Sequence, residues 1–440
     1  MTTGDATNIS AAPSERVEVP TRWINAALDV PFELQPPLAP TEDRPVVVED
    51  FEWLWPRECL EIELRQGVYG EEREIPIPPD VLDGYKSYRP TPLFRARRLE
   101  RALNTPAELW FKREDQNPGG SHKLNTALAQ AKYAADQGIR TLVTDTGAGQ
   151  WGTALAFACQ RFGLDCVVFM VRKSFDEKPY RRYLMEMLGA TVHSSPSELT
   201  EVGRRVRKED PDSTGSLGMG MSEAIELVRT TEDHRLALGC MSYYAVMHQT
   251  VIGVETAQQI ALAGRQPDVL IGCVGGGSNL MGFAGPYIAS LAKTGKPRIV
   301  AAEPASVPCL TSGDFRYDWA DYNRTTPRIA MYSLGSDFQP PPIHSGGLRY
   351  HGKTPLLSAL VHEGFIEARP LDQRAVFEAG QLFFRTEGIL PAPESAHAVL
   401  AAIDEARAAA EAEEERVIVS CLSGHGYLDL AGYADVLQFG

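Results

Sequence analysis

Gly120-Ser121-His122-Lys123-Leu124-Asn125 is a glycine turn that delivers a lysine to the first turn of an expected helix. Once deprotonated, an amine so placed can form an imine with an aldehyde cofactor, and a partly desolvated cleft at a positive helix terminus promotes that state. Taken alone, the motif reads more simply as a surface lysine beside a helix cap. Its companions change the weighting.

Gly275-Gly276-Gly277-Ser278-Asn279 follows an apolar run and precedes a helical one. Bare backbone N–H groups, the Ser278 hydroxyl and the Asn279 amide would there converge on a phosphate at a helix start. An ordinary tight turn is the competing reading; a P-loop is excluded, since no Gly-Lys-Ser/Thr follows. Ser423, in Leu422-Ser423-Gly424-His425-Gly426, also follows an apolar run, and its hydroxyl could meet a pyridine nitrogen. A neutral partner does not force protonation of that nitrogen, which favours β-elimination and replacement over transamination. The plainer alternative is a serine in a glycine-rich turn.

Thr146-Gly147-Ala148-Gly149-Gln150 has small residues whose N–H groups are free for a substrate carboxylate. Asp145 adjoins it, placed to move protons or hold a nucleophile's N–H, or else to serve as a turn or cap aspartate. Glu387, in Glu387-Gly388-Ile389, is expected near the cofactor ring or simply on a helix surface. Together these pieces describe a pyridoxal-phosphate pocket.

Elements to position them are visible. Apolar runs at 141–145, 166–171, 269–274, 298–302 and 416–420 read as buried parallel strands, and most have a helical stretch beside them, such as 123–137, 280–291 and 394–415. Such alternation implies an α/β fold with mainly parallel sheets, whose ligands sit beyond the C-terminal strand ends. Tyr88-Arg89-Pro90-Thr91-Pro92-Leu93 reads as extended. The proline-rich first 50 residues read as an irregular arm with no catalytic role. An N-terminal lobe over 51–250 would carry Lys123 and the carboxylate loop, with 89–121 open to assignment to the other lobe; a C-terminal lobe over 251–440 would carry the glycine loop and Ser423, the cleft lying between them.

At 440 residues the chain exceeds the size of one core, which suits two lobes. A net charge of −15 argues against nucleic acid as a partner, and no apolar run approaches the roughly 18 residues of a membrane span. Met1 to Ala12 shows no basic cluster or apolar core, so the cytoplasm is the expected compartment. Seven scattered cysteines without a Cys-x-x-Cys pair fit a reducing compartment and no zinc site; no metal ligand set is assigned.

As a set, these motifs resemble the tryptophan synthase β-subunit family, nearest its second, stand-alone branch. The resemblance covers most of 93–440 and extends to Trp151-Gly152, Thr386, Pro391-Ala392-Pro393-Glu394-Ser395-Ala396-His397 and Gly346-Gly347-Leu348-Arg349-Tyr350-His351-Gly352. It implies a fold type II pyridoxal-phosphate enzyme that makes L-tryptophan from L-serine or O-phospho-L-serine and indole through an aminoacrylate. By resemblance Lys123 carries the cofactor and moves the α-proton. His122 and Gly275 to Asn279 contact the phosphate, Ser423 meets the pyridine nitrogen, and Thr146 to Gln150 hold the substrate carboxylate. A homodimer and a monovalent cation, K or Na, are also implied; an α-type subunit is left open.

Three positions depart from the family pattern. Asp145 stands where the family has glutamate, and withdrawing a carboxylate by about 1 Å affects rate. Arg349 replaces an aspartate of the main branch while agreeing with the second, and its guanidinium could grip the phosphate of O-phosphoserine or form a structural ion pair. Cys240-Met241-Ser242-Tyr243-Tyr244 is bulkier than expected, so Tyr243 and Tyr244 either reshape an acceptor pocket or belong to the core. Three alternatives stay open: a β-substituted alanine synthase using another nucleophile, a related serine or threonine β-eliminating enzyme, and a cofactor-binding regulatory subunit.

Overall fold

A computed structural model describes residues 17–64 and 70–439. Its larger sheet has the order Glu367–Leu371, Arg298–Pro304, Val269–Cys273, Val417–Leu422, Glu108–Arg113, Leu93–Arg95. The first five strands run parallel and the last is antiparallel. A second sheet, all parallel, has the order Thr191–Ser195, Asp165–Val171, Thr141–Thr146, His234–Leu236. All five apolar runs are strands of these sheets. They read as near-continuous hydrophobic runs because helices cover both faces of a parallel sheet. Among the described residues no helix is long and apolar enough to cross a membrane.

The chain crosses between sheets at the candidate lysine. Glu108–Arg113 lies in the larger sheet, the helix Leu124–Asp136 follows, and Thr141–Thr146 is in the smaller one. Strands from 93–113 therefore sit in the larger sheet although they precede the smaller sheet in sequence. Two further expectations change. Residues 1–16 of the expected arm lie outside the described residues, but 17–50 is not wholly irregular: Arg22–Ile24 pairs with Glu74–Pro76, and Trp23, Leu34 and Val46 are buried. Proline abundance hid an apolar anchor. The stretch 280–291 is not one helix either; Ser278–Ala284 gives way to a 3-10 turn at Gly285–Tyr287 and then to Ile288–Thr294. Pro286 lacks the N–H that an uninterrupted helix needs.

A buried ionic network holds the crossover. Arg89 Nε donates to Glu255 Oε1 at 2.7 Å, its Nη2 to Glu114 Oε1 at 2.9 Å and its Nη1 to Asn125 Oδ1 at 2.8 Å. Lys112 Nζ donates to Glu255 Oε2 at 2.7 Å. All four charged side chains are inaccessible to solvent, and Asn125 is two residues from Lys123, so the network fixes the entry of the lysine-bearing helix. Removing one partner strands the others in a medium that penalises lone charge. Glu255→Gln is expected to cost about 3–5 kcal/mol of stability. Breaking the exposed Arg374–Glu378 pair is expected to cost under about 0.5 kcal/mol. Denaturant unfolding of both variants checks the contrast.

Candidate active site

Lys123 is the N-cap residue of Leu124–Asp136 and makes no side-chain capping bond. It lines a cleft with Asp145, Thr146, Gly147, Ala148, Gln150, Trp151, Cys240, Gly347 and Tyr350. The lysine turn is pinned to the last glycine motif, since His122 N donates to Ser423 O at 2.9 Å and Ser121 bridges Gly424. Gly120 has φ +74, and a Cβ there would collide with the His425 ring, so both motifs depend on this contact. His122 Nδ1 lies 3.2 Å from Ser423 O while Nε2 is buried without a partner. Burial, reinforced by the charge of Lys123, pushes the His122 pKa down to about 3, so the ring is neutral.

The glycine loop follows Val269–Cys273, with Gly277 at φ +110 capping Ser278–Ala284. Gly275 abuts Gly347 O so closely that no side chain fits. Ser278 Oγ is 3.3 Å from Gly239 O, and Asn279 Oδ1 is buried without a partner. Ser423 Oγ is 2.8 Å from Ser395 Oγ and 3.3 Å from Cys273 Sγ. Burial pushes the Cys273 thiol up to about 11, so the two groups beside the Ser423 hydroxyl, that thiol and the Ser395 hydroxyl, are neutral. A lysine, a serine in a neutral setting, a loop too tight for side chains and orphaned polar atoms on His122 and Asn279 fit pyridoxal phosphate. Lys123 would hold its aldehyde carbon, Gly275 to Asn279 with His122 its phosphate, and Ser423 its ring nitrogen.

The carboxylate loop ends Thr141–Thr146, and Gly149 caps the helix Gln150–Phe162 without a side-chain bond. Gln150 and Trp151, the first residues of that helix, line the cleft, and a helix start is a standard anion site. Asp145 is buried in the same wall, and burial raises its pKa to about 7, against its own backbone N–H and the charge of Lys123. A carboxyl poised there can both hold and release a proton near neutrality. Arg349 is also buried, its Nε and Nη2 unpartnered and its pKa lowered by burial. No ion pair of Arg349 is formed among the described residues, and it lies between Gly347 and Tyr350, both of which line the cleft.

Glu387 corrects an expectation. Its Oε1 accepts from Leu99 N at 2.7 Å, and its Oε2 lies 3.5 Å from Arg98 Nε. It closes the helix Gln373–Glu387 against another helix and makes no contact with the cleft. Glu394, seven residues on, is the glutamate at the site: it accepts from Gly347 N at 2.7 Å and lies 3.5 Å from Gln150 Nε2. The Pro-Glu-Ser-Ala-His motif carried that signal for both Glu394 and Ser395. Cys240 and Cys273 went unassigned because a cysteine in an apolar string looks like core. Tyr243 and Tyr244 do not line the cleft. Tyr244 lines a neighbouring apolar cavity with Trp55, Leu60, Met241 and Ile329, and Leu238 borders both spaces.

Residues 85–424 match the family model described as "Pyridoxal-phosphate dependent enzyme". "Tryptophan synthase beta chain 2" of Thermotoga maritima is 49% identical over 416 residues, covering 94% of this chain and 97% of that protein. The chain belongs to the tryptophan synthase β chain family. It is accordingly a pyridoxal-phosphate-dependent enzyme. Another member, "Tryptophan synthase beta chain 2" of Methanothermobacter thermautotrophicus, is 49% identical over 96% of this chain and 97% of its own. "Tryptophan synthase beta chain" of Pyrococcus horikoshii is 49% identical over 96% and 91%. The fold is also that of a T.th. threonine deaminase crystal structure, with a TM-score of 0.56, 20% identity, and coverage of 80% of this chain and 98% of that one.

Proposed function

We propose that this enzyme makes L-tryptophan by β-replacement, joining the β-carbon of L-serine or O-phospho-L-serine to indole with loss of water or phosphate. The observation that carries the reading is the meeting of Lys123, Asp145 and the Thr146 to Gln150 loop in one cleft with an apolar cavity beyond Leu238. Bound pyridoxal phosphate supplies an electron sink that makes the α-carbon acidic. The loop's N–H groups hold the donor carboxylate and so orient the α-carbon toward Lys123. Lys123 Nζ takes the α-proton and later returns it. Asp145, half-ionised near neutrality, accepts the indole N–H and draws electron density toward the attacking carbon. The Ser423 hydroxyl, in contact with a neutral thiol and a second hydroxyl, keeps the ring nitrogen from full protonation and so disfavours transamination.

The adjoining cavity suits a flat apolar nucleophile. Its walls are mainly aliphatic and aromatic, and its acid, Glu63, is pushed up to about 8 by burial, so it is largely neutral at pH 7. A charged nucleophile would gain nothing there. Incubation with indole and either donor should yield tryptophan at many turnovers per chain; pyruvate as the sole product would contradict the reading.

Arg349 supports O-phosphoserine as the better donor, because a buried guanidinium with free donors binds a phosphoryl group bidentately. Arg349→Met is expected to raise the KM for O-phosphoserine by about tenfold or more, the equivalent of one charge-assisted hydrogen bond, and to leave that for serine within about twofold. Steady-state kinetics with both donors measure the difference.

A further inference from the structure

Lys353 is fully buried, and its Nζ makes no hydrogen bond among the described residues. Arg89, Lys112 and Arg181 are as deeply buried, but each donates to a carboxylate. The carboxylate nearest Lys353, Glu303 Oε2, is 4.0 Å away. Both Glu303 oxygens are already engaged, Oε2 by Leu310 N at 2.9 Å and Oε1 by Thr311 N and Oγ1 at 3.0 and 2.8 Å. Lys353 thus faces one carboxylate, at the outer limit of an ion pair, and donates a hydrogen bond to none among the described residues.

Its position gives it a use. The next residue, Thr354, donates its N–H to Gly276 O at 2.7 Å, and its Cγ2 would stand 3.0 Å from a Cβ on Gly277. Thr354 Oγ1 is likewise buried without a partner. The field of Lys353 reaches Cys240, whose Sγ would lie 2.7 Å from a Cβ on Gly276. Thr354 therefore packs directly against Gly276 and Gly277, and Lys353 is the residue before it. That turn offers only neutral donors: backbone N–H groups, the Ser278 hydroxyl, the Asn279 amide and the His122 ring. A phosphate monoester carries close to two negative charges at pH 7. In a low-dielectric setting such charge needs a counter-charge, and Coulomb attraction there acts across several ångströms.

We propose that Lys353 is the built-in counter-charge for the cofactor phosphate, a positioning residue acting through the Gly275 to Gly277 turn. The proposal rests on the reading of that turn as the phosphate cradle. Binding of pyridoxal phosphate and of pyridoxal, which lacks the phosphate, to the full chain stripped of cofactor tests it by absorbance titration. Lys353→Met is expected to weaken pyridoxal phosphate by about tenfold or more while leaving pyridoxal within about twofold. The double variant Lys353→Met with Glu303→Gln removes both charges, leaves no lone buried carboxylate, and carries the test if the single variant does not fold. Equal weakening of both ligands, or of neither, would overturn the proposal. Ser278→Ala with Gly276→Ala separates the two levels. If that variant leaves the ratio of the two affinities unchanged, the cradle reading fails and this proposal with it. If it shifts the ratio and the Lys353 variants do not, the counter-charge alone is refuted.

Discussion

Replacing Lys123 with alanine is expected to lower tryptophan formation by about 10³-fold or more, since it removes both the amine that would hold the cofactor and the group that moves the α-proton. The fold should survive. Lys123 makes no capping bond, and the helix it starts is fixed instead by Asn125 in the Arg89 and Glu255 network. Circular dichroism should therefore be unchanged while covalent retention of cofactor after borohydride reduction disappears. A Lys123→Ala enzyme keeping a tenth of its activity would mean that another base serves the cleft.

Asp145 carries the second large effect, and its sign follows from burial. The folded carboxyl titrates at about 7, above its ordinary 3.8, so the ionised fraction grows as pH rises through 7. A step that uses the carboxylate to accept the indole N–H must grow with it. Asp145→Asn is expected to lower indole incorporation by about 10²–10⁴-fold and to abolish the rising limb of kcat/KM near pH 7. Asp145→Glu retains a titrating carboxyl and should keep a limb. The measurement is a pH profile of tryptophan formation for the three proteins. A limb that persists in Asp145→Asn would assign it to another group.

How much of this was legible in the sequence depended on how each signal is encoded. Five of the six interior strands were readable because they are continuously apolar; the sixth, Glu108–Arg113, was not, because it carries Glu108, Lys112 and Arg113. The edge strand Glu367–Leu371, with Arg369 and Pro370, and the three-residue strands Leu93–Arg95 and His234–Leu236 were not. Edges face water and carry mixed polarity, and three residues cannot establish a period. Loops were legible where glycine is demanded by crowding, as at Gly120 and Gly275. Side-chain direction was not: Glu387 and Glu394 stand seven residues apart across a helix break, and only the folded chain turns one to Leu99 and the other to Gly347. Lys353 escaped notice for a related reason, because a lysine between a glycine and a threonine reads as surface until its neighbours bury it.

The most direct test of the account follows one carbon from donor to product. Enzyme loaded with pyridoxal phosphate is given indole with serine or O-phosphoserine labelled with ¹³C at the β-carbon, and the products are weighed by mass spectrometry. L-Tryptophan heavier by the label is the expected product, at many turnovers and absent with Lys123→Ala. Labelled pyruvate, or a labelled alanine derivative of another nucleophile, in place of labelled tryptophan would contradict it.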